Sequence, residues 1–176
     1  MTDITVRALG EEDWQVYRDV RLAALAESPD AFAATASQEQ EYDEEFWRKR
    51  MSRSRRLVAE QDGAVVGVVS VGHKATHDEK VSELFGLWVS PDLRGKGVAW
   101  RLVEAGVDQA RDDSYDFVLY WVGTDNGRGV AFASSFGFRP TDTRRPMQGT
   151  DGDGEDEMAM VYPLGDDPGA TPSAMD

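Results

Sequence analysis

Glu83-Leu-Phe-Gly-Leu-Trp-Val-Ser-Pro-Asp-Leu-Arg-Gly-Lys-Gly-Val-Ala-Trp-Arg101 is the stretch on which the reading of this chain turns. Its apolar first half reads as a strand, and Ser90-Pro91 ends it because proline has no amide to give a ladder. Arg94-Gly-Lys-Gly97 is a short basic glycine loop, and from Val98 the apolar residues recur at helical spacing. Strand, glycine loop, helix is a general anion-binding device. The first amides of a helix have no partner inside it and point at whatever lies beyond its N-terminus. Glycine removes side chains that would keep a diphosphate away, and Arg94 and Lys96 add positive charge. The plainer alternative is a tight turn that merely needs glycine.

Working outward, Ile4–Ala8 alternates as a first strand, and Glu11-Glu12-Asp13 puts acids at a helix start, where the dipole favours them. That helix runs to about Ala26 with Trp14, Tyr17, Val20, Ala24 and Leu25 near one face, and Ser28-Pro29-Asp30 stops it. After a small apolar stretch (Ala31–Ala36), a second helix covers about Tyr42–Met51. Arg48, Arg50, Arg53, Arg55 and Arg56 follow close together and read as a solvated helix face in preference to an anion patch. Leu57–Gln61 and Ala64–Val71 joined by Asp62-Gly63 form a hairpin signal. His73 to Lys80 reads as a turn, with His73 and His77 exposed and no third ligand for a metal. Val81–Ser90 is a strand and Val98–Arg111 a helix. Phe117–Val122 is a continuous apolar run, the mark of a strand buried on both faces. Asn126–Phe136 is a helix closed by Gly137, and Phe138–Arg145 and Met158–Leu164 are strands. Gly149–Asp156 is a glycine-acid loop that lacks the closing Glu of a calcium loop. This order, βααβββαβαββ, is a mixed α/β domain around one sheet.

The 176 residues suffice for one domain, and 40% hydrophobic with 30% charged is the balance of a globular chain. No apolar run approaches the ~20 residues of a membrane span, and the N-terminus has neither region of a signal peptide. With no cysteine there is no disulfide, thiolate ligand or cysteine nucleophile, and a cytoplasmic location is the expectation. A net charge of −14 argues against a nucleic-acid partner. Half of that charge lies after Thr141, where nine acids face two arginines. This serves solubility, or a field that attracts a cationic substrate. Gly165–Asp176, rich in proline, glycine and small residues, reads as a disordered acidic tail.

Two nucleotide motifs fail on particular residues. A P-loop needs glycine, four further residues, Gly-Lys and then a hydroxyl, but Ser90 and Gly97 hold the first and last of those places. The dinucleotide pattern would put its last glycine at Trp100, too large for close helix–strand packing. What stands is Arg94-x-x-Gly97-x-Ala99, which resembles the acyl-CoA signature R/Q-x-x-G-x-G/A of the GNAT N-acetyltransferases. The strand before it, the helix after it, the buried strand and Asn126…Phe136-Gly137-Phe138 resemble the family in the same order, so the likeness covers about Ile4–Leu164.

That resemblance implies an α/β fold for residues 1–164: a single GNAT-like, mixed, mostly antiparallel sheet flanked by helices and splayed at its central parallel strand pair. Residues 165–176 are left as the tail. It implies acetyl-CoA as cosubstrate and no metal. Amides of Arg94, Gly95, Lys96, Gly97, Val98 and Ala99 would hold the pyrophosphate. Leu87, Trp88 and Val89 would bond the pantetheine arm, Gly86 would carry the bulge that opens a slot for it, and Asn126 would contact the cofactor. Glu83, eleven residues before Arg94, stands where some members carry the carboxylate that deprotonates the amine. The family's usual acid, a tyrosine seven residues after the Asn, is Ala133 here. Ser134 and Tyr120 are the nearest substitutes, with solvent as the alternative. The function implied is direct acetyl transfer to a primary amine, a small molecule in preference to a protein, in a pocket beside Trp14–Phe46. No nucleic acid or membrane takes part, and pairing as a homodimer is in keeping with the family. The competing reading is a non-catalytic acyl-CoA-binding or sensor module of the same fold.

Overall fold

The computed structural model describes residues 3–29, 35–75, 80–146 and 156–172. His77 and nearly all of the Gly149–Asp156 loop lie outside them. The elements are β1 (Thr5–Ala8), α1 (Trp14–Glu27), α2 (Ala36–Glu39), α3 (Glu44–Arg53), β2 (Ser54–Gln61), β3 (Ala64–Ala75), β4 (Lys80–Val89), α4 (Val98–Asp112), β5 (Phe117–Gly123), α5 (Gly127–Phe136), β6 (Arg139–Pro146) and β7 (Asp156–Pro163). The seven strands form one sheet in the order β1-β2-β3-β4-β5-β7-β6. β4 and β5 are parallel, whereas β1–β2, β5–β7 and β6–β7 are antiparallel. The sheet is therefore mixed and mostly antiparallel, with its parallel pair in the middle and helices flanking it. The β4–β5 register runs only from Val81–Phe117 to Leu84–Tyr120.

The chain divides into two compact units, Met1–Val71 with Gly86–Gly106 and Gly72–Phe85 with Val107–Asp176. In the first, Trp14, Tyr17, Val20 and Ala24 of α1 pack with Trp47, Val58, Val68 and Trp88. Asp62 and Gly63 both take positive φ (53° and 81°), the conformation a two-residue hairpin turn requires. Gly67 on β3 lets α4 lie close: a Cβ there would stand 2.9 Å from Leu102 and 3.0 Å from the Trp88 carbonyl.

The arginines after Trp47 are not all on a solvated helix face. Arg55 and Arg56 lie on β2. Arg56 is buried, donates to the Ser70 hydroxyl and the Arg50 carbonyl, and lies over the Tyr17 ring. Arg50 and Arg21 converge on Glu39, which is 1% exposed, at 2.7 and 3.1 Å. α2 is the short element the sequence reading omits, and it carries this carboxylate. Burial alone would raise the Glu39 pKa, but the two guanidiniums hold it below the ordinary value.

In the second unit Val81, Phe117, Leu119 and Val161 form a cluster on one sheet face. Phe138 lies between Tyr120 and Tyr162, its ring centroid 5.9 and 5.4 Å from theirs. β3 extends through His73, which packs 5.6 Å from the Tyr115 ring instead of forming a turn. The composition gives Gly165 onward no reason to order, yet through Pro172 the chain has one. Ala170 packs on the Val81 cluster, and the Arg139 guanidinium donates to its carbonyl at 2.6 Å. Among the described residues no helix is long and apolar enough to cross a membrane.

Removing Glu39 would strand two partly buried guanidiniums. Glu39→Ala is expected to lower the unfolding free energy by about 3–5 kcal/mol in urea titration. A loss below about 1 kcal/mol would mean that solvent, not Glu39, satisfies them.

Candidate active site

The glycine loop has the backbone its sequence implies. Gly95 and Gly97 take φ +79° and +86°, and nothing stands within 4 Å of where their Cβ atoms would go. The first bond of α4 runs from the Arg101 amide to the Gly97 carbonyl at 3.2 Å, so the preceding amides are those a helix leaves unpaired. Val98 is buried, Ala99 half-buried, and Lys96 exposed in the loop. No neighbouring atom crowds the loop at its two glycines.

Arg94 is placed otherwise than its motif position suggests. Its amide donates to the Pro91 carbonyl at 3.3 Å, closing a turn of 3-10 helix. Its guanidinium donates to the Val89 carbonyl at 3.0 Å and to Glu27 Oε2 at 2.7 Å. Glu27 ends α1 and also receives the Trp88 indole N–H at 2.9 Å and the Ser28 hydroxyl. These donors, Ser28 foremost, then Trp88 and Arg94, hold the Glu27 carboxyl down to about 2. Trp88 and Ser90 also line a hollow of about 310 Å³ with Val16, Val20 and Ala23 of α1. Leu87, Trp88 and Val89 lie past Gly86, whose φ is +65°, and past the last β5 register partner of their strand.

In the second unit, the register sets Glu83 opposite Leu119, so it shares a face with Trp121. Glu157 and Arg145, opposite one another on β7 and β6, lie on that face too. Arg145 bonds Glu157 through Nε, stands 3.6 Å from Glu83, and stacks 3.9 Å over Trp121. Glu83 is thus a half-buried carboxylate with a guanidinium beside it, itself shared with a second carboxylate. Tyr120 is one residue along β5 and emerges on the opposite face, against Phe138. Burial raises its pKa, so its phenol keeps its proton.

Asn126 caps α5, its side-chain carbonyl accepting the Gly129 amide at 2.9 Å while its NH₂ can donate to a ligand. Ala133 is 1% exposed and packed, so no side chain reaches out from the family's usual acid position. Ser134 is exposed on α5. Among the described residues no group of three His, Cys, Asp or Glu could hold a metal ion. Glu27, Arg145 and Glu157 escaped the sequence reading. Their charged partners lie 12 to 67 residues away, and no local spacing announces them.

Known proteins resemble this chain in sequence and in fold. Residues 21–138 match the family model described as the acetyltransferase (GNAT) family. An uncharacterized N-acetyltransferase of Archaeoglobus fulgidus is 33% identical over 99 residues, 54% of this chain and 64% of that protein. Human N-acetyltransferase 8 is 31% identical over 135 residues, 76% of this chain and 53% of that protein. The chain thus spans less than two-thirds of the length of these relatives. Salmonella typhimurium yncA, solved with its cofactor acetyl-CoA, shares the fold with a TM-score of 0.70 at 20% identity, over 98% of this chain and 99% of that one.

The depressed Glu27 pKa fixes a pH dependence. A carboxylate whose folded pKa lies below its ordinary 4.5 stabilises the fold fully above that value and progressively less as pH falls toward about 2. Glu27→Gln should therefore be less stable than the parent chain at pH 7. Urea titrations should show the gap narrowing below pH 4.5, and a gap constant from pH 7 to 3 would contradict the assignment.

Proposed function

The chain belongs to the acetyltransferase (GNAT) family, and on that premise we propose that it moves the acetyl group of acetyl-CoA directly to a primary amine. The observation that carries the reading is the Gly95–Gly97 loop, whose left-handed glycines leave open space at the N-terminus of α4. Amides from Gly95 to Ala99 would hold the pyrophosphate, with Lys96 adding charge. The peptide groups of Leu87, Trp88 and Val89 would bond the pantetheine arm, and the Asn126 NH₂ would add a contact. Arg94, whose Nε and Nη2 are held by Val89 and Glu27, would chiefly shape the loop.

Glu83 is the proposed base, taking the proton of the substrate ammonium directly or through water. The freed nitrogen lone pair then attacks the thioester carbonyl carbon; the new C–N bond forms as the C–S bond breaks, and the thiolate leaves. The thiolate takes its proton from solvent, because Tyr120 emerges on the sheet face opposite Glu83 and burial raises its pKa. Ser134, exposed on α5, is the weaker candidate. Solvent suffices because a thiol with pKa near ~8.5 is a good leaving group. With no cysteine, no cysteine-linked acyl-enzyme forms. The acidic balance of the chain supports a cationic acceptor, a small amine before a protein, and its cysteine-free composition supports a cytoplasmic setting. The buried Ala133 favours one second reading, a non-catalytic acyl-CoA-binding or sensor module.

A thiol reagent reads CoA release here with no background from the protein, because the chain has no cysteine. Across a panel of amines, Glu83→Gln is expected to lower kcat about 10²-fold or more. Tight CoA binding with no thiol release on any amine would establish the module instead. Gly97→Asp, which forces a side chain into positive φ and a negative charge into the loop, should weaken CoA binding about tenfold or more in calorimetry.

A further inference from the structure

We propose that Glu27, the last residue of α1, is the positioning residue of the cofactor loop: through Arg94 and Trp88 it fixes the loop and the strand end in the shape that receives the CoA pyrophosphate. This rests on the reading of that loop as the CoA site.

Gly95 and Gly97 have no side chains, and nothing stands within 4 Å of where their Cβ atoms would go. A loop of this composition has many accessible conformations, and holding one of them needs anchors at its ends. Its far end is tied by the Arg101 amide on the Gly97 carbonyl, 3.2 Å. Its near end is Arg94, whose guanidinium spans the Val89 carbonyl at 3.0 Å and Glu27 Oε2 at 2.7 Å. The same oxygen accepts the Trp88 indole N–H at 2.9 Å. One carboxylate oxygen thus joins the strand that would carry the pantetheine arm to the loop that would carry the diphosphate.

Glu27 does this from a helix that contributes nothing to the motif. It meets no phosphate itself; its effect on binding passes entirely through the conformation of Arg94 and the glycines. A loop held ready binds more tightly than one that must order on binding. The interaction also keeps the Arg94 guanidinium on Glu27 and Val89, so that side chain is a strut of the site, and the amides after it do the holding.

The test uses the full chain, CoA calorimetry and amide NMR. Glu27→Gln and Arg94→Gln should each weaken CoA binding roughly tenfold, and the double variant should be no weaker than either, since both remove one device. In the CoA-free Glu27→Gln variant, the Gly95 and Gly97 amide resonances should move while those of β5 stay. Arg94→Gln alters an exposed side chain and carries the test if Glu27→Gln does not fold. Unchanged affinity, unchanged glycine resonances, additive losses, or tighter binding through a freed Arg94 would each overturn the proposal. If the parent chain does not bind CoA, it is the assignment of the loop that fails.

Discussion

A strand inside a sheet must find partners for its peptide groups on both edges, and β4 stops pairing with β5 half-way along its length. Its register with β5 ends at Leu84, the backbone turns through positive φ at Gly86, and the strand still continues to Val89. The neighbouring features follow from that interruption. The Ser90 amide returns to β3 through the Val66 carbonyl at 2.8 Å, the Trp88 indole reaches the end of α1, and the Val89 carbonyl takes the Arg94 guanidinium. In the proposed function, the amide-bearing pantetheine arm fits the chemistry of such a strand.

The charge of the chain is used in two ways. In bulk it is acidic, with half the excess after Thr141. At the positions that shape structure and site, however, the acids come with arginines. Glu39 has Arg21 and Arg50, Glu27 has Arg94, and Glu83 and Glu157 share Arg145. The buried case is the demanding one, because neither partner there has water to fall back on. The exposed Glu27 pair is screened by solvent, and its value is geometric.

The fold was legible wherever short-range periodicity carried it. The strand–loop–helix at Glu83–Arg101, the Asp62-Gly63 turn and the apolar run of β5 each announce themselves within a dozen residues. The loop's glycines were legible for the same reason, since positive φ is a local demand. Arg94 was read by its motif position as a phosphate neighbour, because nothing nearby in sequence reveals a carboxylate 67 residues earlier. Arg145 was invisible as a partner of Glu83: a bulge between Pro140 and Arg144 re-registers β6 and brings it opposite Glu157. The solvated-arginine reading failed at Arg50 and Arg56 because composition cannot say that Glu39 and Ser70 are waiting inside.

The packing of Ala170 against the Val81 cluster has a consequence for the segment behind β7. The last strand ends at Pro163. The segment that follows packs on an apolar patch of the sheet and supplies the carbonyl that Arg139 binds. Hydrophobic closure of the sheet therefore draws on residues that follow β7. A fusion or label joined directly behind β7 would compete with the chain's own lid for that patch.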